Sequence, residues 1–278
     1  MIRRAGSDPV RVAACQVSLG IGEVGKNLAA ARDSVVAAAE AGARIVVLPE
    51  LTPSGYVFRD AAEARSLAEP ADGRTVTDWA QLAARHDLVI IGGFCELGER
   101  DRVYNSAVLV DPGGVRAVYR KVHLWDAEPD CFVPGDAEPP VIDTRHGRLA
   151  MMICYDIEFP EWVRRPALAG ADLLAVPTNW PAEPVPAGER PMVVTNVQVA
   201  AYANRMFIAA ACRSGTERGV RWVGGSIIAG PDGYPLAGPA GDQDPELLIA
   251  DCDLQLARSK ASSARNDVHA DRRTDLYR

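Results

Sequence analysis

Short apolar runs rich in β-branched residues alternate along this chain with longer stretches whose apolar positions return to one helical face. Residues 10–17, 44–48 (RIVVL), 88–95, 103–110 and 115–119 have the length and residue types of strands. Residues 27–41 form an Ala-rich helical pattern with Leu28 and Val35 on one face, closed by Gly42, and 75–86 form a second. Asp111, Pro112, Gly113 and Gly114 turn the chain between two of the strands. The second half repeats the theme, with strands at 148–153, 172–176, 206–212, 225–229 and 247–252 and helices at 158–169 and 192–204. From Arg258 onward the chain is polar and charged. This succession predicts an α/β fold in which helices cover a mixed sheet or a pair of sheets. Periodicity leaves the number of sheets open.

Composition narrows the class. A chain of 278 residues is long for one domain, yet no Ser/Gly-rich linker or charge run marks a boundary. One domain over 10–278 is expected, preceded by a flexible tail at 1–9. The hydrophobic share of 48% is that of a soluble globular protein rather than a disordered one. The net charge of −7, with no basic cluster, argues against a nucleic-acid partner. No run of 18 apolar residues exists to span a membrane, and Arg3 and Arg4 precede no apolar core of a secretory signal, so the cytoplasm is the expected compartment. The six cysteines are scattered without a C-x-x-C pair, which argues against a zinc site and for reduced thiols.

Three apolar segments end abruptly in chemically useful residues: IVVLPE at Glu50, YRKVHLW around Lys121 and LAMMICYD at Cys154. Strand ends sit at the rim of a rigid sheet, where reacting groups can be held firmly. Each residue has an ordinary reading alone: a core thiol, a turn glutamate, an exposed strand lysine. Together they supply a nucleophile, a base and a cation for developing negative charge. A helix starting just after Cys154 and a nearby lysine would both favour a thiolate, whereas burial would raise the carboxyl pKa of Glu50.

The motifs LPELTPSGY (48–56), YRKVHLW (119–125) and ICYDIEFPE (153–161) stand in an order and spacing that resemble the nitrilase, or carbon–nitrogen hydrolase, superfamily, from about residue 10 to the end of the chain. The resemblance implies a four-layer α-β-β-α sandwich, homodimers or larger assemblies paired through helices, and a catalytic set of Glu50, Lys121 and Cys154. It also implies a second glutamate after the lysine motif. Glu128 matches it, with Asp126 and Asp130 as neighbouring competitors. Tyr56, Tyr155 and the VPTNW segment with Asn179 and Trp180 match substrate-binding positions. Tyr155 and Asp156 after the cysteine, where nitrilases usually carry Trp then Glu, resemble the amidase branches, 5-aminopentanamidase-like enzymes among them.

The expected activity is therefore hydrolysis of a small linear amide to an acid and ammonia through a cysteine thioester, with no metal and no organic cofactor. N-carbamoyl compounds, nitriles and acyl transfer to an amine stay open as alternatives. A cysteine–histidine pair using His123 or His146 is a competing mechanism, and a binding protein on the same fold a non-enzymatic one. Glu158 and Asp156 are candidates for a substrate amino group, although Glu158 also suits a helix cap. Arg190 or Arg164 would suit a substrate carboxylate.

Overall fold

A computed structural model describes residues 8–277. The expected tail thus falls outside the described residues, apart from Asp8 and Pro9. In chain order the elements are β1 (Val10–Ser18), α1 (Val24–Glu40), β2 (Ile45–Val47), α2 (Ala61–Leu67), α3 (Arg74–His86), β3 (Val89–Leu97), β4 (Val103–Asp111) and β5 (Gly114–Arg120). Then come β6 (Val141–Thr144), β7 (Gly147–Met151), α4 (Pro160–Leu168), β8 (Leu173–Pro177), α5 (Met192–Asn204) and β9 (Phe207–Ala211). The chain closes with β10 (Arg213–Ser214), β11 (Thr216–Glu217), β12 (Val220–Arg221), β13 (Ile227–Ala229), β14 (Pro235–Ala237) and β15 (Glu246–Cys252).

Two sheets stand face to face. The first runs β10-β1-β2-β3-β4-β5 with β15 also paired to β1; the second runs β14-β13-β9-β8-β7-β6. Side chains alternate along β1: Val12 and Ala14 enter the core shared with Leu149, Ala175 and Ala209 of the second sheet. Ala13 and Cys15 point the other way and pack with Ala31, Val35 and Ala38 of α1 and with Val76, Trp79 and Leu82 of α3. On the far side of the second sheet, Val163 and Ala167 of α4 and Val194, Val197 and Ala201 of α5 complete the core. This is the expected four-layer sandwich. Central strands are buried on both faces and therefore read as continuous apolar runs rather than as alternation.

Several elements differ from the sequence expectation. The helix expected at 158–169 begins instead at Pro160, after a separate 3₁₀ turn over Cys154–Glu158. Proline is well suited to a first helical position because its missing N–H has no partner to lose there. The short helix α2 and the partly exposed strand β6 carry too few apolar positions for a periodic signal. Asp60 starts α2 by accepting from the N–H of Glu63 at 2.8 Å. Among the described residues, no helix is long and apolar enough to cross a membrane.

Two glycines let the layers meet. A Cβ on Gly92 would lie 2.7 Å from the Trp79 ring of α3, and one on Gly93 would lie 2.5 Å from the Cα of Glu50. Only a residue without a side chain lets β3 run this close to the turn that carries Glu50.

Candidate active site

Glu50 lies just beyond β2, in a turn pinned to β3 by the Gly93 N–H donating to Pro49 O (2.9 Å) and the Thr52 N–H donating to Gly93 O (2.9 Å). Lys121 follows β5 directly, and its backbone N–H donates to Asn105 O at 2.8 Å. Cys154 lies just beyond the end of β7 and adopts φ +46°. That left-handed conformation is uncommon for a residue with a Cβ, and it turns the chain from strand into the 3₁₀ turn. All three side chains are buried. The expected exposed-strand alternative for Lys121 therefore fails, since the residue is 0% exposed.

The Lys121 ammonium donates to Glu50 Oε1 and to Glu128 Oε1, each at 2.8 Å. Asn105 of β4 donates from Nδ2 to the same two oxygens, at 2.7 Å and 3.0 Å. The Tyr56 hydroxyl donates to Glu128 Oε1 at 2.9 Å, and the Trp125 N–H donates to Glu128 Oε2 at 2.8 Å. Glu128 is thus the second carboxylate of the site; Asp126 and Asp130 are exposed. Glu50 Oε2 is buried with no hydrogen-bond partner among the described residues. A base needs such an oxygen, free to accept a proton.

Burial pushes the Glu50 carboxyl up to about 7, against the pull of Lys121 and with a further push from Glu128. For Lys121, burial works against the charge, but Glu50 and Glu128 outweigh it and hold the amine above its ordinary range. The Cys154 thiol is also pushed well above its ordinary value, first by burial and then by Glu50. Lys121, the Thr178 hydroxyl and the Asn179 backbone pull it down without winning. The cation and the turn favour a thiolate, as expected, but they are outweighed. Desolvation outweighs the cation and the turn, so the resting sulfur is a neutral thiol that must lose its proton as it attacks.

Asp156 is not a substrate contact. It is fully buried and accepts from the Tyr119 hydroxyl (2.8 Å), the Ile153 N–H (3.1 Å) and the His123 N–H (3.0 Å). Its Oδ1 also lies 2.7 Å from His123 Nδ1. The carboxylate ties the cysteine turn to the lysine loop. His123, stacked on Phe159 at 3.8 Å between centroids, serves that tie and not the thiol. His146 sits beyond β6 beside Arg145. Among the described residues, neither histidine is paired with Cys154.

A cavity of about 560 Å³ opens at Cys154 and is lined by Tyr155, Glu158, Asn179, Trp180 and Arg190 among others. A second, of about 310 Å³, is lined by Tyr56, Glu128, Phe132 and Trp222. Trp125 and Pro181 line both, so the two adjoin. All four residues expected at the substrate border one cavity or the other. Asn179 also braces the base from behind, its Nδ2 donating to Glu50 O at 2.8 Å. Glu158 ends the 3₁₀ turn and does not cap α4, whose N-cap is Phe159. Arg164 donates to Ala203 O at 3.0 Å and does not border the cavity.

Asn105 joins the site without an expectation from the sequence, whereas Thr178 lies in the expected VPTNW segment and adds its hydroxyl at the Cys154 sulfur. Asn105 and Ser106 interrupt an otherwise apolar strand, and a polar pair inside a buried strand is a signal for a partner that must satisfy it. Among the described residues, no group of three or more His, Cys, Asp and Glu side chains is arranged to hold a metal ion.

The profile of the family described as Carbon-nitrogen hydrolase matches residues 11–262. The chain is 36% identical to a protein of Pyrococcus abyssi named nitrilase, over 96% of this chain and 99% of that one. It is 35% identical to the N-carbamoylputrescine amidase of Solanum lycopersicum, over 97% and 94% respectively. It also superimposes with a TM-score of 0.78, at 28% identity and 98% coverage of both chains, on an amidase variant from Nesterenkonia sp. AN1. That structure carries the acetamide moiety of fluoroacetamide on its active-site cysteine.

Proposed function

The chain belongs to the carbon–nitrogen hydrolase family and is an amidase-type hydrolase, and from that premise we propose that Cys154, Glu50, Lys121 and Glu128 cleave a small linear amide through a thioester. The observation that carries these roles is the single buried cluster in which Lys121 bridges Glu50 and Glu128 beside the Cys154 thiol.

Glu50 takes the thiol proton as the sulfur attacks the amide carbon. The new oxyanion faces Lys121 and the Tyr155 N–H, which belongs to the first turn of a 3₁₀ segment and so has no intrahelical partner. Preorganised donors of this kind contribute about 3–4 kcal/mol each in comparable sites. The carbon–nitrogen bond then breaks. Glu50 passes its proton to the departing nitrogen, and ammonia leaves. Water attacks the thioester, giving a proton to Glu50 that returns to the sulfur as the acid departs. Glu128, held by Tyr56, Asn105 and Trp125, positions the amide nitrogen or the water. Side chains and water supply every proton in the cycle.

Ammonia release from short amides, measured against pH, tests this reading. A base pushed up to about 7 is ionised above that pH and protonated below it, so activity falls as pH drops through about 7. Because the three charges titrate together, that limb belongs to the set. Glu50→Gln is expected to lower the rate about 10³-fold and to remove the limb. A variant within tenfold of the parent that keeps the limb would rule Glu50 out as the base. A carbamoyl amine is a second reading, favoured by the relative named N-carbamoylputrescine amidase; including carbamoyl compounds and nitriles in the panel separates the three.

Pairing with a second copy is part of the same proposal. Met192, Val199 and Tyr202 leave an apolar stripe on α5 that is 74%, 57% and 53% exposed, at spacings that share one helical face. The mass in solution by light scattering checks it: a monomer at micromolar concentration would contradict the pairing.

A further inference from the structure

The loop that carries Tyr56 rests on a buried ion pair that the chemistry above does not use. Arg213 of β10 is 0% exposed and Glu217 of β11 is 3% exposed. The Arg213 Nη2 donates to Glu217 Oε1 at 2.8 Å and also to Leu19 O. Glu217 Oε2 accepts two successive backbone N–H groups, those of Tyr56 at 2.9 Å and Val57 at 2.7 Å. Packing runs the same way. The Arg213 guanidinium lies 4.9 Å from the centroid of the Trp222 ring, and Trp222 meets the Tyr56 ring edge-on at 5.3 Å. Gly55 makes room for the carboxylate: it has φ +80°, and a Cβ there would lie 2.6 Å from Glu217 Oε1 and 2.5 Å from Ile21 Cα. Tyr56 in turn sends its hydroxyl to Glu128 Oε1. Arg213 and Glu217 border neither cavity, so neither is placed to touch substrate.

We propose that Glu217 and Arg213 are positioning residues for the reaction: the Glu217 carboxylate fixes the backbone of Tyr56 and Val57 and so keeps the Tyr56 hydroxyl on Glu128. The inference rests on the reading of Glu128 as the group that positions the amide nitrogen or the water. Two N–H groups converge on one acceptor, and the guanidinium takes another; a carboxylate supplies both oxygens at once. Glutamine does not. Its single oxygen goes to the guanidinium, the stronger donor, and its amide N–H groups then meet those of Tyr56 and Val57 donor to donor. Arg213 Nε and Nη1 are already buried without partners among the described residues, so the arginine has no other acceptor to turn to. The Tyr56 backbone is pushed away, and its hydroxyl leaves Glu128. With Arg213→Met beside it, the glutamine oxygen is free to face the two N–H groups, and the tie is restored without charge.

The test measures steady-state ammonia release from short amides by Glu217→Gln, Tyr56→Phe, the two combined, and Arg213→Met/Glu217→Gln. Glu217→Gln is expected to lower kcat about 30-fold and to change KM less than about threefold, since a misplaced positioning group is felt in the transition state. Tyr56→Phe is expected to lose about as much. Combined, they should lose no more than about threefold beyond the worse single change, because both break one tie. A pair that acts on folding alone would give losses that multiply. Arg213→Met/Glu217→Gln is expected to recover to within about fivefold of the parent, and it covers the case in which the buried, unpaired guanidinium prevents Glu217→Gln from folding. Glu217→Gln within about twofold of the parent overturns the proposal, as do multiplying losses or a neutral pair no better than Glu217→Gln alone. Failure of both Glu217 variants to fold also overturns it, since the pair is then structural alone. A crystal structure of Glu217→Gln reads the cause without turnover: a Tyr56 hydroxyl still bonded to Glu128 overturns the proposal whatever the rates. If the parent releases no ammonia, the hydrolase reading falls, while that structure still decides this one. If the parent is active and Glu217→Gln keeps its rate, the hydrolase reading stands and this one falls.

Discussion

Replacing Cys154 with alanine or serine is expected to lower ammonia release from a small amide by about 10⁴-fold or more, with the fold retained. Removing the nucleophile of a hydrolase usually costs that much, because what remains is binding and oxyanion stabilisation alone. Serine is a strict test here. Its hydroxyl keeps the volume and the hydrogen-bonding capacity of the site, but an alkoxide is far harder to form than a thiolate. The buried carboxylate of Glu50, pushed up to about 7, is matched to a thiol and not to an alcohol. A burst of ammonia equal to the enzyme concentration, followed by slower turnover, would further mark the thioester in the parent enzyme. Circular dichroism and a denaturation midpoint near that of the parent would confirm that the loss is chemical. Residual hydrolysis above about one-hundredth of the parent rate would remove Cys154 from the mechanism.

Lys121→Met is expected to combine a loss of activity with a loss of stability. The ammonium is fully buried between Glu50 and Glu128, and it meets each of them at 2.8 Å. Removing one member of a buried charge cluster typically costs about 3–5 kcal/mol, because the groups left behind keep their desolvation penalty. Catalysis should fall about 10³-fold with the loss of an oxyanion donor. The stability loss carries a pH signature. With Lys121 gone, the pull that opposes burial at Glu50 is lost, so the Glu50 carboxyl rises further above the ordinary value near about 4.3. The folded variant then binds protons more tightly than the unfolded chain, so its stability falls as pH rises above that value. The gap between variant and parent should be smallest near about pH 5 and widen toward about pH 8 in urea titrations. A gap that is constant over that window would mean that packing, and not charge, accounts for the loss.

Much of this protein is legible along the chain, but unevenly. The strands that carry the site are marked by β-branched runs, and their ends by the residues themselves: Pro49 before Glu50, Arg120 before Lys121 and the shift from Ile153 to the polar stretch Tyr155–Glu158. Residue type states the chemistry, since a thiol, a carboxylate and an ammonium have few joint uses other than nucleophilic catalysis. The motifs around them are local, and local sequence carries them completely.

What escapes is what depends on residues far apart in sequence. Asn105 contacts Glu50 across 55 positions, and Lys121 meets it across 71. Nothing near Asn105 announces that partner. The same holds for the choice of Glu128 over Asp126 and Asp130, which share its charge and neighbourhood but stay exposed where Glu128 is buried. Asp156 reads as available for substrate until Tyr119 and His123 arrive from another strand and its loop to occupy it. The balance of forces on the Cys154 thiol is hidden for a related reason. A nearby cation and a turn are visible in sequence, whereas the desolvation that outweighs them exists once two sheets close over the thiol. The alternation in β1 shows why the sheets themselves cannot be counted from the pattern. Its two faces meet different layers, yet both layers are apolar, so the strand reads as one hydrophobic run whichever way its side chains point. Cysteine, glutamate and lysine at strand ends are facts of covalent order. Their burial and their spacing arise when distant strands converge and exclude water.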